Sequence, residues 1–598
     1  MKEDVYNPVT IMQVVDEGLN NNPNKVLLAT KRNGRWLQIS PGQFKQRVRE
    51  FALGLYDFGV RKGDKITLHA ENSDDWLIAD QAILSIGAVS VPIHVSQNSE
   101  EVIRIIEHCD AKVHIISKNE LFDEIQEQVQ IDLPKLKIIS LTDDISLKNA
   151  FTFREVLEKG VSLIKKNEHL FDQLKEVVAP DDIATIVYTL GTEGISSGVM
   201  LTHNNIASNI WGSLDSIPFD VDSLTERSVL SYLPLSHIFE RLVVYIYLHL
   251  QLPVYFSEKV EEIIEDLKTI RPIHFSTVPR LLEKIYSSIW NREHDLKGWQ
   301  KRVMDYGLAM AEQYDVEQPF GGLNKLRYFI ADKIVYSKMR ESVGGHLIAI
   351  TSGGAPLSAR LMNFVNALGI HCGQGYGLTE ASPVLTAYRP HELRAGSVGT
   401  PLKNVEIKIE EDGEILARGP NIMKGYYKNP GKTSHAITRN NWLKTGDLGY
   451  FDNDGYLYIT GRKKELIKLA TGKYVAPANI EIALERSDFI EQAAIIGYGE
   501  KFCAALIYPD KKSVKQYFYS KNISIPDNDY SNNSEVYKLI ESEIAEVNKH
   551  FADWEQVKQF RLMQKPMRIE DGELTRLYKK KRHIIQNHYK ELINSIYG

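Results

Sequence analysis

A glycine-rich segment between two apolar runs is the part of the chain best suited to binding an anion. Residues 188–198 read Tyr-Thr-Leu-Gly-Thr-Glu-Gly-Ile-Ser-Ser-Gly. Glycines at this density let successive backbone N–H groups turn toward one point, and threonine hydroxyls can donate beside them. The spacing differs from the Walker phosphate loop and from the dinucleotide fingerprint. The segment predicts phosphate contacts from Thr189, Gly191, Thr192, Gly194 and Gly198.

A second glycine-rich run, residues 373–380, combines an aromatic ring, a hydroxyl and a carboxylate. The ring of Tyr376 offers a flat surface for a base, and Thr379 can donate to a phosphate. Glu380 offers a hard oxygen ligand of the kind that Mg²⁺ takes. Alone, such a run is more often a structural loop, because short motifs match by chance. With Ser352-Gly353-Gly354 just upstream, the run resembles the adenine-binding elements of the adenylate-forming superfamily. That resemblance implies that Glu380 is a catalytic residue and metal ligand, and that the nucleotide-binding residues are Gly353, Gly354, Gly375, Tyr376, Gly377 and Thr379.

Three other stretches carry polar residues whose role the pattern alone leaves open. Asp447, in Lys-Thr-Gly-Asp-Leu-Gly-Tyr, can accept both hydroxyls of a ribose, but aspartate is also a common turn residue. His237, in a stretch with apolar neighbours, would by itself more often be a satisfied core histidine. The basic run 579–582 is of the kind that is usually solvated.

The elements that must position these residues alternate between helix and strand in the first half of the chain. Residues 74–84 have a helical pattern, 89–95 a strand pattern, and Ser99 is expected to cap a helix before the strand 113–116. This order favours parallel sheets covered by helices. From about residue 405 the pattern changes to short strands joined by tight turns at 411–413 and 453–455.

The predicted fold class is therefore α/β, with two domains. A large N-terminal domain over residues 1–463 should contain helix-covered, mostly parallel sheets and a β-rich subdomain at about 400–460. A smaller α+β domain should follow over residues 464–598. A chain of 598 residues also exceeds what one hydrophobic core usually serves.

Composition narrows the class of protein. The net charge of −6 gives no footprint for nucleic acid. Three cysteines (Cys109, Cys372 and Cys503) lie far apart without metal-ligand spacing, which favours a reducing, cytoplasmic setting. The most apolar stretch, residues 242–256, is too short and interrupted to span a bilayer. Two readings of it stay open: a buried helix and strand, or a surface that touches lipid or guides an acyl chain.

Taken in chain order, these segments resemble the adenylate-forming superfamily, whose phosphate loop usually reads Tyr-Thr-Ser-Gly-Thr-Thr-Gly-x-Pro-Lys-Gly. The stretch Tyr-Leu-Pro-Leu-Ser-His-Ile-Phe-Glu-Arg at 232–241 resembles long-chain acyl-CoA synthetases, as do residues 275–280 and the ending from 547. The resemblance covers essentially the whole chain. It implies that His237 lies beside the acyl carboxylate and that Asp447 and Arg462 lie near the ribose. It also implies that the C-terminal domain is a mobile lid with its hinge at Lys464, and that Lys579 is the catalytic adenylation lysine.

The phosphate loop departs from the superfamily pattern at four positions: Leu190, Glu193, Ser196 and Ser197. Without a lysine at 197 the loop lacks a positive charge near the β- and γ-phosphates, and Glu193 adds a negative one. The resemblance predicts an AMP-forming long-chain fatty acid–CoA ligase that uses ATP, Mg²⁺ and CoA. Two alternatives remain: an acyl-AMP ligase that loads a carrier protein, and a nucleotide- or acyl-binding protein with little activity. Membrane contact and oligomeric state are left open.

Overall fold

A computed structural model of the chain describes residues 6–20, 25–32, 34–142, 150–190, 196–220, 224, 228–257, 259–389, 392–521, 523, 530–531, 533–568, 570–574 and 580–597. The chain divides into two compact units. The first comprises residues 1–408, 416–445 and 451–457, and the second comprises residues 409–415, 446–450 and 458–598.

The strands follow one another in this order: β1 Leu28–Arg32, β2 Arg35–Ile39, β3 Lys65–His69, β4 Val89–Ile93, β5 Ala111–Ile116, β6 Lys137–Ser140, β7 Ala150–Thr152, β8 Ile183–Leu190, β9 Ser196–Thr202, β10 Val229–Ser231, β11 Val254–Phe256, β12 His274–Thr277, β13 Ala349–Ser352, β14 His371–Gln374, β15 Tyr376–Gly377, β16 Val384–Ala387, β17 Thr400–Pro401, β18 Glu406–Ile409, β19 Glu414–Arg418, β20 Gly425–Tyr426, β21 Leu443–Phe451, β22 Leu457–Arg462, β23 Ile467–Lys468, β24 Tyr474–Val475, β25 Ile490–Ile496, β26 Cys503–Pro509 and β27 Val557–Leu562.

The helices are α1 Ile11–Leu19, α2 Pro41–Asp57, α3 Asp74–Ser85, α4 Ser99–His108, α5 Glu120–Asp123, α6 Gln126–Asp132, α7 Phe153–Lys166, α8 Leu170–Glu176, α9 His203–Ser213, α10 Ile238–His249, α11 Ile263–Ile270, α12 Pro279–Asp295, α13 Gly298–Glu312, α14 Gly322–Ala331, α15 Ser337–Glu341, α16 Ala359–Ala367, α17 Pro430–Ala436, α18 Pro477–Leu484, α19 Lys511–Ser520, α20 Ser534–Asn548, α21 Arg582–His588 and α22 Lys590–Tyr597.

Two large sheets organise the first unit. One runs in the order β14-β13-β12-β10-β11-β1-β2, and its strands are parallel except for the β1–β2 pair. The other runs in the order β20-β9-β8-β4-β3-β5-β6-β7, with β8, β9 and β20 joined by antiparallel pairs. Their strands read as continuous buried runs, for example Val89–Ile93, because helices cover both faces of a parallel sheet.

Local sequence explains where the helices of this unit begin. Thr202 caps α9 in a capping box with Asn205, which fixes the exit from β9. The expected cap at Ser99 is wrong by one residue: Asn98 accepts from the backbone N–H of Glu101 at 2.9 Å, and Ser99 is the first helical residue. Asparagine and serine cap about equally well, so their order alone did not decide the position.

The apolar stretch 242–256 forms the end of α10 and then β11, as one of its two readings expected. Leu242, Tyr245 and Leu248 are buried in the largest core cluster of this unit. Cys109 is buried as well, and burial raises the pKa of its thiol to about 12, which fits a small core residue. Among the described residues, no helix is both long and apolar enough to cross a membrane.

The second unit has its own core around the sheet β25-β26-β27. Strands β25 and β26 are antiparallel, whereas β26 and β27 are parallel. Helix α20 buries Val536, Ile540 and Ile544 against this sheet, because residues four apart lie on one face of a helix. The mixed helix and strand content agrees with the expected α+β class. The predicted domain bounds stay a prediction.

Candidate active site

The carboxyl ends of four neighbouring parallel strands carry most of the predicted site residues of the first unit. The stretch 232–237 follows β10, and Val278 follows β12. The Gly-Gly pair 353–354 follows β13, and residues 375–380 follow β14. Because these strands are adjacent in the order β14-β13-β12-β10, their ends lie side by side. This edge is where open α/β sheets bind ligands.

Backbone and side-chain contacts tie these ends together. The N–H of Gly353 donates to the carbonyl of Thr277 at 3.0 Å, and the N–H of Gly375 donates to the carbonyl of Ser352 at 3.1 Å. A β-carbon on Gly353 would lie 2.9 Å from the ring of Phe239, two residues after His237. Glycine at 353 therefore lets the ring pack beneath the strand end.

The glycines after β14 have a packing role as well. A β-carbon on Gly377 would come within 1.8 Å of the carbonyl oxygen of Pro383, across the β15–β16 pair. Any other residue at 377 would open this hairpin, in which Tyr376 pairs with Thr386. The hairpin thereby holds Tyr376 at the strand end, and Thr379 and Glu380 lie in the connection between its two strands.

The glycine-rich loop is held at both ends by the antiparallel β8–β9 pair. Thr189 lies opposite Ser197, and Tyr188 lies opposite Gly198. The hydroxyl of Thr189 points at the carbonyl of Ser197 at 3.5 Å. The predicted phosphate contacts Gly191, Thr192 and Gly194, with Glu193, lie outside the described residues.

A lysine from a distant part of the chain lies at the position where the superfamily lysine is missing. Nζ of Lys432 donates to Oγ of Ser197 at 2.8 Å and lies 4.1 Å from the centre of the Tyr426 ring. Pairing of Gly425 and Tyr426 with β9 brings this segment to the sheet edge. Asn429 then caps α17, the short helix that carries Lys432. Sequence reasoning missed Lys432, since it is 235 residues away from Ser197.

Glu380 lies next to the same aromatic residue. The hydroxyl of Tyr426 donates to Oε1 of Glu380 at 2.8 Å, and burial together with the charge of Glu380 raises the pKa of Tyr426. Among the described residues, Oε2 of Glu380 accepts no hydrogen bond. Ser197, Lys432, Tyr426 and Glu380 thus form a continuous chain of contacts, called the phosphate-side cluster below.

His237 immediately precedes α10, and the buried side chains of Glu240 and Arg241 fix the N-terminal end of this helix. Protein atoms that displace water around the imidazole lower its pKa, although part of the side chain stays accessible to solvent. Glu240 accepts hydrogen bonds from Ser231 and Ser276, both at 2.6 Å, and burial raises its pKa to about 7. Arg241 pairs with buried Asp80 at 2.5 Å.

The contacts of Glu240 and Arg241 explain why the motif at 232–241 ends with a Glu-Arg pair. Glu240 joins α10 to β10 and β12, and Arg241 also donates to Thr185 of β8 at 2.8 Å. Arg241 therefore fixes the helix that follows His237 to the strand that leads into the glycine-rich loop. Such buried pairs set geometry more than they add stability.

In the second unit, Nε of Arg462 lies 2.8 Å from Oδ1 of buried Asp447. Lys463 pairs with Asp412 at 2.6 Å and Glu414 at 2.7 Å, and these carboxylates raise its pKa. The predicted hinge residue Lys464 is exposed in a single 3₁₀ turn, Lys463–Glu465. The predicted pair Asp447 and Arg462 is therefore brought together.

The basic run at the end of the chain is partly a structural anchor. Lys580 pairs with Glu485 at 2.8 Å and Glu481 at 3.3 Å, and Arg582 pairs with Glu481 at 2.7 Å. Burial alone would lower the pKa of Lys580, but the two carboxylates outweigh it and raise the pKa. Lys579 lies outside the described residues. The residues on either side of 575–579 are joined by a bridge between Leu574 and Lys580.

Comparison with known families accounts for this arrangement. A family model described as AMP-binding enzyme matches residues 15–427, and one described as AMP-binding enzyme C-terminal domain matches residues 464–598. The chain belongs to the AMP-binding enzyme family. The resemblance identified from the motifs is thereby confirmed at the family level.

Relatives of this AMP-binding enzyme include the long-chain-fatty-acid–CoA ligase FadD15 of Mycobacterium bovis, which is 30% identical over 595 residues and covers 98% of this chain and 97% of its own length. Long-chain-fatty-acid–CoA ligase 5 of Rattus norvegicus is 30% identical over 616 residues, covering 98% of this chain and 88% of its own.

Solved structures confirm the fold class. The A domain of a carboxylic acid reductase from Segniliparus rugosus, in complex with AMP and a co-purified carboxylic acid, has a TM-score of 0.70 at 19% identity, covering 99% of this chain and 95% of its own. ATP-bound MatB of Rhodopseudomonas palustris has a TM-score of 0.68 at 20% identity, covering 98% and 99%.

Proposed function

We propose that this AMP-binding enzyme is a long-chain fatty acid–CoA ligase. The observation that carries the proposal is 30% identity to a curated ligase of that name over nearly the full length of both chains. In the proposed reaction a carboxylate oxygen of the fatty acid attacks the α-phosphorus of ATP and pyrophosphate leaves. The sulfur of CoA then attacks the acyl carbon of the adenylate, and AMP leaves with the carboxylate oxygen.

The phosphate-side cluster supports binding of a nucleotide triphosphate. Lys432 puts a positive charge beside Ser197, at the end of the glycine-rich loop. We propose that this ammonium replaces the one that the superfamily lysine supplies, so the substitution at 197 does not remove the charge from the site. A compact ammonium suits this task because it can meet phosphate oxygens from several directions.

Glu380 fits the role of Mg²⁺ ligand. Its Oε2 has no partner among the described residues, and the same residues contain no cluster of three or more groups that could hold a metal. Mg²⁺ needs only one or two carboxylates when its remaining ligands are phosphate oxygens and water. Bound there, Mg²⁺ would offset phosphate charge, while Tyr426 keeps the carboxylate oriented.

The other assigned residues keep the roles that the resemblance implies. Tyr376 would stack on the adenine, Asp447 and Arg462 would bind the ribose, and His237 would contact the acyl carboxylate.

A long-chain acid is concentrated in bilayers, which favours a form of the protein attached to a membrane surface.

Two assigned lysines have roles tied to domain movement. Lys579 would bridge the reacting carboxylate and the nucleotide during adenylation, and Lys464 would be the hinge. Proline fixes φ near −65°, so Lys464→Pro should slow thioester formation more than adenylation. If both half-reactions kept their wild-type rates in that variant, Lys464 would not be the hinge.

Pyrophosphate release over a panel of acids, with and without CoA, tests the proposal. Acids above about ten carbons should be preferred over acetate, because each buried methylene gains about 0.8 kcal/mol. Acetate or an aromatic acid as the best substrate would contradict the substrate class. Adenylate that forms but never passes to CoA would favour the carrier-protein alternative. Nucleotide binding without pyrophosphate release would favour the inactive binding protein.

A further inference from the structure

Helix α14 and the turns that continue it carry two apolar stripes, and only one of them is packed. The inward stripe, Ala331, Val335 and Met339, is at most 9% exposed and belongs to a core cluster. The other stripe repeats at the same helical spacing of three and four residues but lies at the surface. It consists of Leu323, Leu326, Ile330 and Ile334, called the exposed stripe below.

The exposed stripe is open to solvent along its whole length. Its four side chains are 66%, 56%, 45% and 46% exposed in chain order. Phe329, on the same helix, is 52% exposed. Tyr306 of α13 lies beside it, because its hydroxyl donates to the main-chain oxygen of Arg327 at 3.4 Å. Apolar side chains grouped in this way on a protein surface mark an interaction site.

The charged side chains on the helical segment that carries the exposed stripe, residues 321–340, are all positive except Asp332. Lys325, Arg327, Lys333 and Lys338 are exposed, and none of them lies within salt-bridge distance of a carboxylate in the described part of the chain. Nζ of Lys333 lies 4.7 Å from the centre of the Phe329 ring. The one acidic residue between 321 and 340, Asp332, pairs with Arg340 at 2.6 Å.

We propose that this face of α14 attaches the protein to a membrane surface that contains anionic lipid. An amphipathic helix with an apolar face and flanking lysines lies in the plane of the headgroups and buries its apolar side chains at the acyl boundary. Lysine and arginine near the surface add electrostatic attraction to anionic lipids. A second copy of the chain fits less well, because the two faces would bring like charges together.

The membrane proposal deepens the proposed function and rests on it for its purpose. A bilayer that holds the long-chain acid would supply substrate to a protein attached beside it. Attachment itself depends only on the exposed stripe and its cations, so it can be measured without any turnover. Its failure is therefore distinguishable from failure of the ligase assignment.

Cosedimentation with vesicles tests the attachment. The full chain should sediment with vesicles of phosphatidylcholine and phosphatidylglycerol, and much less with phosphatidylcholine alone. Leu326→Glu with Ile330→Glu should weaken partitioning at least tenfold, and Lys325→Glu with Lys333→Glu should remove its dependence on anionic lipid. Ile131→Glu is the matched control, because Ile131 of α6 is 71% exposed and lies outside the stripe.

Four results decide between the outcomes. Equal partitioning of the wild type, both double variants and the Ile131→Glu control would overturn the proposal. So would a wild-type dimer in light scattering that the stripe variant converts to a monomer, since the occupant would then be a second copy. Pyrophosphate release with a water-soluble acid should be the same in wild type and stripe variant. Vesicle binding without pyrophosphate release would leave attachment standing and reject the ligase.

Discussion

Lys432 in the first unit and Lys580 in the second both lie beside a segment that the motifs assigned to ATP chemistry, yet they have different partners. Lys432 contacts the hydroxyl of Ser197 and the ring of Tyr426. Lys580 contacts the carboxylate of Glu481, which is buried, and that of Glu485, which is partly exposed. The charge of Lys580 is thus balanced by protein carboxylates. Lys432 instead contacts a hydroxyl and an aromatic ring, which carry no formal charge, and we propose that its ammonium serves the phosphates of ATP.

The comparison shows that the partners of a lysine determine whether it can serve a substrate. The distance of the lysine from a motif along the sequence does not. The basic run at 579–582 suggests several equivalent cations, but Lys580 and Arg582 are tied to one buried carboxylate, Glu481. We infer that Lys580 and Arg582 anchor the end of the chain to α18 and β25, so neither of them is available for the adenylation role proposed for Lys579.

Removing the carboxylate of Glu481, which pairs with both Lys580 and Arg582, should have the largest effect on stability. Glu481→Gln leaves half-buried Lys580 and Arg582 without their shared carboxylate, and breaking a buried pair costs at most about 3–5 kcal/mol. Hydrogen exchange of the β26 amides should report this loss. Glu541→Gln, at an exposed position on α20, is the matched control and should change little. Equal protection in both variants would mean that Glu481 does not anchor the run.

Lys579→Ala should lower adenylate formation by about 10²–10³ while sparing CoA transfer onto supplied acyl-adenylate, since the charge it meets exists only in the first half-reaction. Single-turnover assays of each half-reaction measure this. Lys580→Ala should instead destabilise the second unit. Equal loss in both half-reactions for Lys579→Ala would show that it too is structural.

Acid should weaken the anchoring of Lys580 and Arg582 by Glu481. Lys580 and Arg582 hold the pKa of Glu481 below its ordinary value despite burial, which by itself would raise it. Its contribution is therefore present above the unfolded pKa of about 4.5 and lost as the pH falls below it. The stability difference between wild type and Glu481→Gln should shrink from pH 7 to pH 4. A difference that stays constant would exclude this carboxylate as the cause.

The smallest effect is expected from restoring the superfamily loop. Ser197→Lys with Glu193→Thr adds a positive charge and removes a negative one, so Mg·ATP should bind more tightly, and less so at high salt. With Lys432 already present, the gain in affinity and in pyrophosphate release should be only a few-fold. A gain of a hundredfold would mean that Lys432 contributes little.

Motif order in the sequence predicted the family and the α/β class, because each motif is a local pattern. The placement of Gly353, Gly375 and Glu380 after neighbouring parallel strands follows from the strand order, which no motif contains. Lys432 could not be predicted, since its contact with Ser197 depends on β20 pairing with β9 far along the chain. Its only signal was a short helix with an asparagine cap and a lysine in its first turn.

The structural roles of individual residues could not be predicted from the sequence either. Gly377 was assigned to a nucleotide, and the structure gives it a packing reason at Pro383 that no local pattern contains. The Glu-Arg pair after His237 was part of the resemblance, but its buried partners Asp80, Ser231 and Ser276 come from three other elements. Tertiary contacts of this kind are set by topology rather than by neighbouring residues.

The affinity for Mg·ATP of Lys432→Ala, alone and together with Ser197→Lys, tests the central claim most directly. Because a hydrogen bond to a charged group is worth about 1.5–3 kcal/mol, Lys432→Ala should weaken binding about tenfold or more. Adding Ser197→Lys should restore it to within about threefold, since a lysine then occupies the same place. Lys428→Ala is the matched control, because that ammonium pairs with Asp110 at 2.7 Å. Wild-type affinity in Lys432→Ala, the same loss in Lys428→Ala, or no rescue by Ser197→Lys would contradict the account.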